Sequence, residues 1–323
     1  MAGRLVEAIR ELPGHLLRHL FIWLSRRRSL QRLALSRGRT RGFVFRFVAG
    51  ETLDEALTVL ARLKAAGFLT AVDILGESVT TAEAAEAAAD RYLVALDALA
   101  ARGLDPYVSL KLTQMGLAVD PDLCRRNLRR ILERAAATGA FVRIDMEDSS
   151  LTQTTLDLWR ELHAEFPGIG AVIQAYLRRS AADVEALIAE GARVRLCKGA
   201  YDEPASVAFP AKREVDGSFR RLAERLLVGG VHPALATHDE RLIEGAIAFA
   251  RRGGIGPERF EFQMLYGVRR DLQERLVREG YRMRVYVPYG TEWYPYFMRR
   301  LAERPANALF ILRSVLRDRP GRS

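Results

Sequence analysis

The sequence predicts an α/β fold: one (βα)8 barrel over residues 41–310, with an N-terminal helical extension (1–40) before it and a short tail (311–323) after it. Three observations predict it. Eight short apolar runs recur along the chain, the segments between them carry helical periodicity, and polar residues recur late in the runs. With 323 residues, 49% hydrophobic and 28% charged, the chain has the length for a single large core.

The extension comes first. Residues 16–24 are basic and apolar, and three arginines follow at Arg26, Arg27 and Arg28. A bilayer needs about 20 apolar residues, so this segment is too short to span one. It also lacks a small-residue cleavage site, which places the chain in the cytoplasm. Two readings stand: a helix packed on the domain, or an interfacial helix whose arginines meet anionic lipid at the inner face of the membrane. Residues 51–66 then read as a helix leading into the barrel.

The eight runs are 70–75, 107–112, 141–146, 169–175, 192–197, 232–237, 260–265 and 282–287. Their starts lie 22 to 40 residues apart, the room a crossover helix and two loops require. Between them, 80–101 is alanine-rich with leucines at helical spacing. Asp120 and Pro121 form an N-cap and first-turn pair, and Gly139 stops that helix. Helices are also predicted over 152–166, 181–190, 217–227, 239–250 and 268–279. An open doubly wound sheet is the competing topology, but no glycine-rich dinucleotide fingerprint follows an early strand.

A barrel interior is normally apolar, so polar groups late in strands point to the catalytic rim. Lys111, Asp145, Gln174, Arg195, Gln263 and Tyr286 come from six different strands and fall toward one end. Lys111, Arg195 and Asp145 make either a structural ion network or a binding site for an anionic cofactor or substrate. Thr237 and His238 sit where the sixth run becomes a loop, placed for ribose or pyrophosphate. The histidines are dispersed, and Cys124 and Cys197 lack further ligands, so no metal site is expected.

After the eighth run, Pro288, Tyr289 and Gly290 make a turn, Thr291 caps a helix over 292–304, and Pro305 ends it. Tyr296, Arg299, Arg300 and Glu303 share one face of that helix. Spacing alone accommodates local ion pairs on a solvated helix. The neighbouring rings of Tyr294, Tyr296 and Phe297 favour a small planar anion held by two guanidiniums while its apolar part packs on aromatic surface. The net charge of +10 raises nucleic acid or an anionic membrane as partners. The arginines are spread along the chain and no nucleic-acid motif accompanies them, so no nucleic acid is expected.

The stretch from Trp293 to Asn307 resembles the C-terminal signature of the proline dehydrogenase family, particularly its monofunctional bacterial form. The resemblance continues, in order, through Ser109-Leu110-Lys111-Leu112, Arg143-Ile144-Asp145-Met146-Glu147 and Arg195-Leu196-Cys197-Lys198-Gly199-Ala200-Tyr201. Ala236-Thr237-His238-Asp239, Phe262-Gln263-Met264-Leu265-Tyr266-Gly267 and Val285-Tyr286-Val287-Pro288-Tyr289-Gly290 complete it. It covers roughly residues 40–310.

The resemblance implies a distorted TIM barrel with its final helix over the strand ends. It implies FAD-dependent oxidation of L-proline to 1-pyrroline-5-carboxylate, by hydride transfer from proline C5 to flavin N5. Arg299, Arg300 and Lys111 then hold the proline carboxylate, Tyr286, Tyr296 and Met264 wall the ring, Glu303 orients an arginine, and Asp145 organises the polar network. Gln174, Arg195, Lys198, Gly199, Ala200, Tyr201, Lys212, Thr237, His238 and Gln263 are the cofactor-binding residues it implies. A membrane quinone becomes the electron acceptor, and a 1-pyrroline-5-carboxylate dehydrogenase the functional partner. The alternatives are another FAD-dependent barrel oxidoreductase of the folate-reductase type and a basic nucleic-acid or membrane-binding protein.

Overall fold

The computed structural model describes residues 45–303, and side chains up to Met298. The N-terminal extension, the tail and the side chains of Arg299, Arg300 and Glu303 therefore lie outside the described residues.

Eight parallel strands close a barrel in sequence order: β1 (Leu69–Ile74), β2 (Tyr107–Leu110), β3 (Phe141–Ile144), β4 (Ile169–Gln174), β5 (Arg193–Cys197), β6 (Ala234–Ala236), β7 (Glu261–Leu265) and β8 (Met283–Tyr289). Strand β8 closes on β1 with Ala71 opposite Tyr286. The helices are α1 (Leu53–Ala65), α2 (Ala82–Ala101), α3 (Pro121–Thr138), α4 (Thr152–His163), α5 (Ser180–Ala189), α6 (Lys212–Gly229), α7 (Glu240–Arg252), α8 (Arg270–Arg278) and α9 (Trp293–Glu303). The predicted fold class is the observed one.

Local chemistry sets the ends of these elements. A reciprocal Thr52–Glu55 capping box starts α1, whose Ala56, Leu57 and Leu60 are buried. Asp120 accepts from the Asp122 amide to open α3, Pro121 follows at the first turn, and Gly139 ends the helix at φ +67°. Strand β6 is shorter than its apolar run. His232 takes a left-handed φ of +43° and Pro233 has no N–H, so regular pairing begins only at Ala234. Helix α6 begins five residues before its predicted start, at Lys212, with Glu214 bonding back to the Ala211 amide.

Strand alternation divides the interior in two. One set of side chains, including Val72, Val108, Leu110, Ile144, Leu196, Phe262 and Val285, packs outward against helix residues such as Leu96, Leu128 and Ile131 as the main core. The inward set is rich in polar groups: Ser109, Arg143, Asp145, Arg195, Glu261, Gln263 and Arg284 are all buried. An aliphatic filling would stabilise the barrel without desolvating charge. The polar lining therefore directs attention to the barrel axis.

Candidate active site

The inward side chains form two layers. In the layer nearer the strand starts, Arg143 Nε donates to the Tyr107 hydroxyl at 2.8 Å and Nη1 to the Ala171 carbonyl at 2.8 Å. Gly170 makes room for this guanidinium: a Cβ there would lie 2.8 Å from Arg143 Nη1 and 2.6 Å from the Phe141 ring. Across the barrel, Arg284 forks onto Glu261 through Nε (2.9 Å) and Nη2 (3.1 Å). Its Nη1 donates to Thr70 O and Asp105 Oδ2 at 2.7 and 2.5 Å. Burial raises the Glu261 pKa, but Arg284 and the hydrogen bonds outweigh it and hold the carboxyl below its ordinary value.

The layer toward the strand ends is built around Arg195. Its Nε donates to Gln263 Oε1 at 2.5 Å, Nη1 to Asp145 Oδ1 at 2.6 Å and Nη2 to Ser109 Oγ at 3.0 Å. Tyr286 donates its hydroxyl to Asp145 Oδ2 at 2.7 Å, and the Arg195 guanidinium lies 5.3 Å from the Tyr286 ring centroid. Both Asp145 oxygens are thus engaged. Lys111 Nζ lies 3.4 Å from Asp73, and 3.9 Å from Glu77 and from Asp145.

These contacts fix protonation states. Burial works against the Lys111 ammonium, yet Asp73, Asp145 and Glu77 together raise its pKa, so it stays charged. Arg195 follows the same balance, with Asp145 overcoming burial. Burial and then the Asp145 charge push the Tyr286 phenol far up, which keeps it a donor. Burial also raises the Asp73 carboxyl, with Lys111 opposing.

Around the rim, Gln174 Nε2 donates to Glu147 O at 2.8 Å, and Glu147 is held by Thr113 through N (3.0 Å) and Oγ1 (2.6 Å). Thr237 Oγ1 accepts from the Asp239 amide at 3.1 Å. His238 Nε2 accepts from the Leu265 amide at 2.9 Å, so the neutral ring carries its proton on Nδ1. Gly199, at φ +116°, lies against the Tyr176 ring where a Cβ would come within 2.2 Å; no other residue fits. Ala200 and Tyr201 follow it in the loop, and the Tyr201 hydroxyl belongs to the electrostatic surroundings of Lys111.

Lys198 Nζ bonds Asp216 at 2.5 Å and Asp239 at 2.9 Å, and the exposed Lys212 joins the same two carboxylates. This four-charge cluster ties the β5 loop to α6 and to the start of α7. Helix α9 docks through Trp293 Nε1, which donates to Glu51 at 2.9 Å, and through Phe297, whose ring lies 6.2 Å from that of Phe47. Tyr296 is buried on this helix.

The expectation for Met264 is corrected. Gln263 faces the axis to meet Arg195, so Met264 faces the opposite way and is 2% exposed within the outer hydrophobic core. Leu265 has the inward parity on that strand. Asp73, Glu77, Ser109, Arg143, Glu147, Glu261 and Arg284 belong to the polar interior and were not among the predicted site residues. Register was the available signal: Ser109 sits two positions before Lys111, and Arg143 two before Asp145, which puts each pair on one face. Among the described residues no group of three or more His, Cys, Asp or Glu is arranged to hold a metal.

A family model described as Proline dehydrogenase matches residues 56–313 of the chain. The chain is 44% identical over 302 residues to Proline dehydrogenase 1 of Bacillus subtilis strain 168, spanning 94% of this chain and 100% of that protein. It is 43% identical over 288 residues to Proline dehydrogenase of Deinococcus radiodurans, spanning 88% and 93%. Among solved structures it resembles proline utilization A from Bdellovibrio bacteriovorus inactivated by N-propargylglycine, with a TM-score of 0.77 and 29% identity. That likeness covers 87% of this chain and 34% of the other, so the chain spans about a third of that larger protein.

Proposed function

The chain belongs to the proline dehydrogenase family, and from that membership we propose that its two-layered barrel is the active site for oxidising L-proline to 1-pyrroline-5-carboxylate with FAD as cofactor. The observation that carries the reading is the Arg195–Asp145–Tyr286–Lys111 assembly inside the matched region, at the end of the barrel where such enzymes work. Bound FAD supplies the hydride acceptor for proline C5.

The residues present fit this cofactor. Arg195 is a buried permanent cation with its guanidinium fixed from three sides, suited to a heterocycle that gains negative charge on reduction. Gln174 and Gln263 reach the interior from β4 and β7, and Thr237 and His238 follow β6, where this reading puts the ribose and phosphate part. Gly199 lets its backbone pack directly on the Tyr176 ring, which a Cβ would strike, and so sets the course of the loop after β5. Ala200 and Tyr201 continue that loop. Lys198 and Lys212 act through their ion cluster, which fixes the loop.

The protein's own work is orientation and charge control. Arg299 and Arg300 clamp the substrate carboxylate from α9, with Glu303 orienting one of them and Lys111 adding charge from β2. Tyr286 and Tyr296 wall the ring. Asp145 holds Arg195 and Tyr286 in place; with both oxygens accepting, it is a scaffold, and water removes the amine proton. A quinone takes the electrons onward. In this reading the contact with a membrane quinone is peripheral; among the described residues no helix is long and apolar enough to cross a membrane. The product is a cyclic imine in equilibrium with an aldehyde, which a 1-pyrroline-5-carboxylate dehydrogenase consumes.

Anaerobic mixing of the flavin-loaded protein with L-proline tests the reading. Bleaching of the yellow colour, with the pyrroline trapped by an aminobenzaldehyde reagent, is the expected result. A protein that purifies with no flavin, or keeps its colour with proline, rules the reading out. Replacing Arg300 with Met should weaken proline capture; an unchanged dependence on proline removes Arg300 from the clamp.

A further inference from the structure

Among the described residues the Gln263 carboxamide joins the two layers by hydrogen bonds. Its Oε1 accepts from Arg195 Nε at 2.5 Å, and its Nε2 donates to Glu261 Oε1. A carboxamide carries one accepting and one donating end, and a half-turn about its last bond exchanges them. If the exchange occurred here, an N–H would face the Arg195 N–H and a carbonyl would face the Glu261 carboxylate. Two buried repulsions would replace two hydrogen bonds, so Arg195 and Glu261 select the same orientation, and Glu261 fixes the far end of the carboxamide.

Glu261 is itself held. Arg284 grips both of its oxygens, and Asp105 and Thr70 O anchor Arg284 from behind. Its pKa lies below the ordinary value, despite burial, because of Arg284 and these hydrogen bonds, so it is an acceptor throughout the neutral range. The result is a continuous path of side-chain hydrogen bonds: Asp105, Arg284, Glu261, Gln263, Arg195, Asp145 and Tyr286.

The geometry points to Glu261 as a positioning residue: by orienting the Gln263 carboxamide it aims the Arg195 guanidinium and so tunes the flavin's ease of reduction. This rests on the reading that the flavin lies against Arg195. Glu261 touches neither substrate nor cofactor. Its effect reaches the reaction through two hydrogen bonds, and depends on residue 263 being an amide.

That dependence supplies the test. A methionine at 263 has no amide ends to orient and introduces no charge beside Glu261. The flavin-loaded wild type, Glu261→Gln, Gln263→Met and the double variant are compared by flavin midpoint potential and by anaerobic reduction rate with L-proline. Glu261→Gln should slow reduction at least tenfold and shift the equilibrium tenfold toward oxidised flavin, about 30 mV for a two-electron couple. The KM for proline should stay within threefold. In the Gln263→Met background, the same Glu261→Gln change should alter potential and rate less than twofold.

Equal losses in both backgrounds, or an unchanged potential in Glu261→Gln, overturn the inference. If Glu261→Gln does not fold, Gln263→Met removes the link while leaving the Arg284–Glu261 pair intact, and must reproduce the shift in potential; no shift overturns the inference. A wild type without flavin, or not bleached by proline, defeats the functional reading instead. A wild type that reacts beside variants with unchanged potential defeats this inference alone.

Discussion

The two polar layers inside the barrel use the same residue types to opposite ends. In the layer near the strand starts, each guanidinium is closed off: Arg143 ends on a phenol and backbone carbonyls, and Arg284 on two carboxylates and a carbonyl. In the layer near the strand ends, Arg195 is held as firmly, but Lys111 stands 3.4 to 3.9 Å from three carboxylates. Those spacings are longer than a good charged hydrogen bond. The lower layer uses charge to hold shape, and the upper one keeps donors for a ligand. Rigidity below is what lets the upper layer present charge at fixed places.

Breaking the lower layer should therefore cost stability most. Arg284→Met leaves Glu261 buried with only Gln263 as a donor, and the loss should be about 3–5 kcal/mol, the usual cost of an orphaned buried charge, read by denaturant unfolding. The pH dependence carries a sign. In the wild type the Glu261 pKa is lowered, so its contribution is present above its unfolded value of about 4.3 and lost as pH falls through the folded value. In the variant, burial without Arg284 raises that pKa, so the penalty is present at neutral pH and eases on acidification. The stability gap between the two proteins should narrow toward low pH. A gap that is constant with pH would count against Glu261 as its source.

Breaking the upper layer should reverse the emphasis. Arg195→Met leaves Asp145 with the Tyr286 hydroxyl and Lys111 nearby, so the stability loss should be about 1–3 kcal/mol, less than for Arg284→Met. The rate of flavin reduction should fall about a hundredfold or more, since an aimed buried charge is lost. A normal single-turnover rate with a normal flavin spectrum would remove Arg195 from the cofactor site.

Lys111→Met should do less again. A chiefly carboxylate-binding role predicts a KM for proline raised about tenfold, with thermal stability little changed because Asp73, already raised by burial, takes up a proton. The rise of kcat/KM with pH should keep its midpoint in this variant. Lys111 and Tyr286 both have pKa values raised above their ordinary range, which leaves the substrate amine as the group that titrates. A midpoint displaced in Lys111→Met would assign the ionisation to the protein.

The two layers were unequally legible in the sequence. The barrel was readable because each strand is a short apolar run, and the upper layer because Lys111, Asp145, Arg195 and Gln263 interrupt such runs near their ends. Arg143 and Glu261 were not, since a charge early in a strand looks like the solvated edge of the run. Only closure of the barrel turns those positions inward, and closure is a long-range property. Tyr296 could be placed on a helical face from spacing, yet spacing says nothing of depth, and the side chains of Arg299, Arg300 and Glu303 lie outside the described residues. Lys198 and Lys212 were cofactor candidates through the resemblance alone, and their ion cluster was not legible because Asp216 and Asp239 stand 18 and 41 residues from Lys198.

Met264 tests the boundary between the layers and the outer core, with the smallest expected effect on the kinetics. Its neighbours Gln263 and Leu265 have the inward parity, so its thioether packs among outer-core residues and never reaches the barrel axis. Met264→Leu keeps volume and polarity, and should change stability by less than about 1.5 kcal/mol. The KM for proline and the flavin reduction rate should both be unchanged, because no atom facing the ligand is altered. Met264→Ala should cost about 2–5 kcal/mol by opening a cavity, again with normal kinetics in the folded fraction. A change in KM in either variant would mean that β7 is out of register at that position. The same slip would turn Gln263 away from Arg195, so this mild substitution also checks the contact on which the two layers meet.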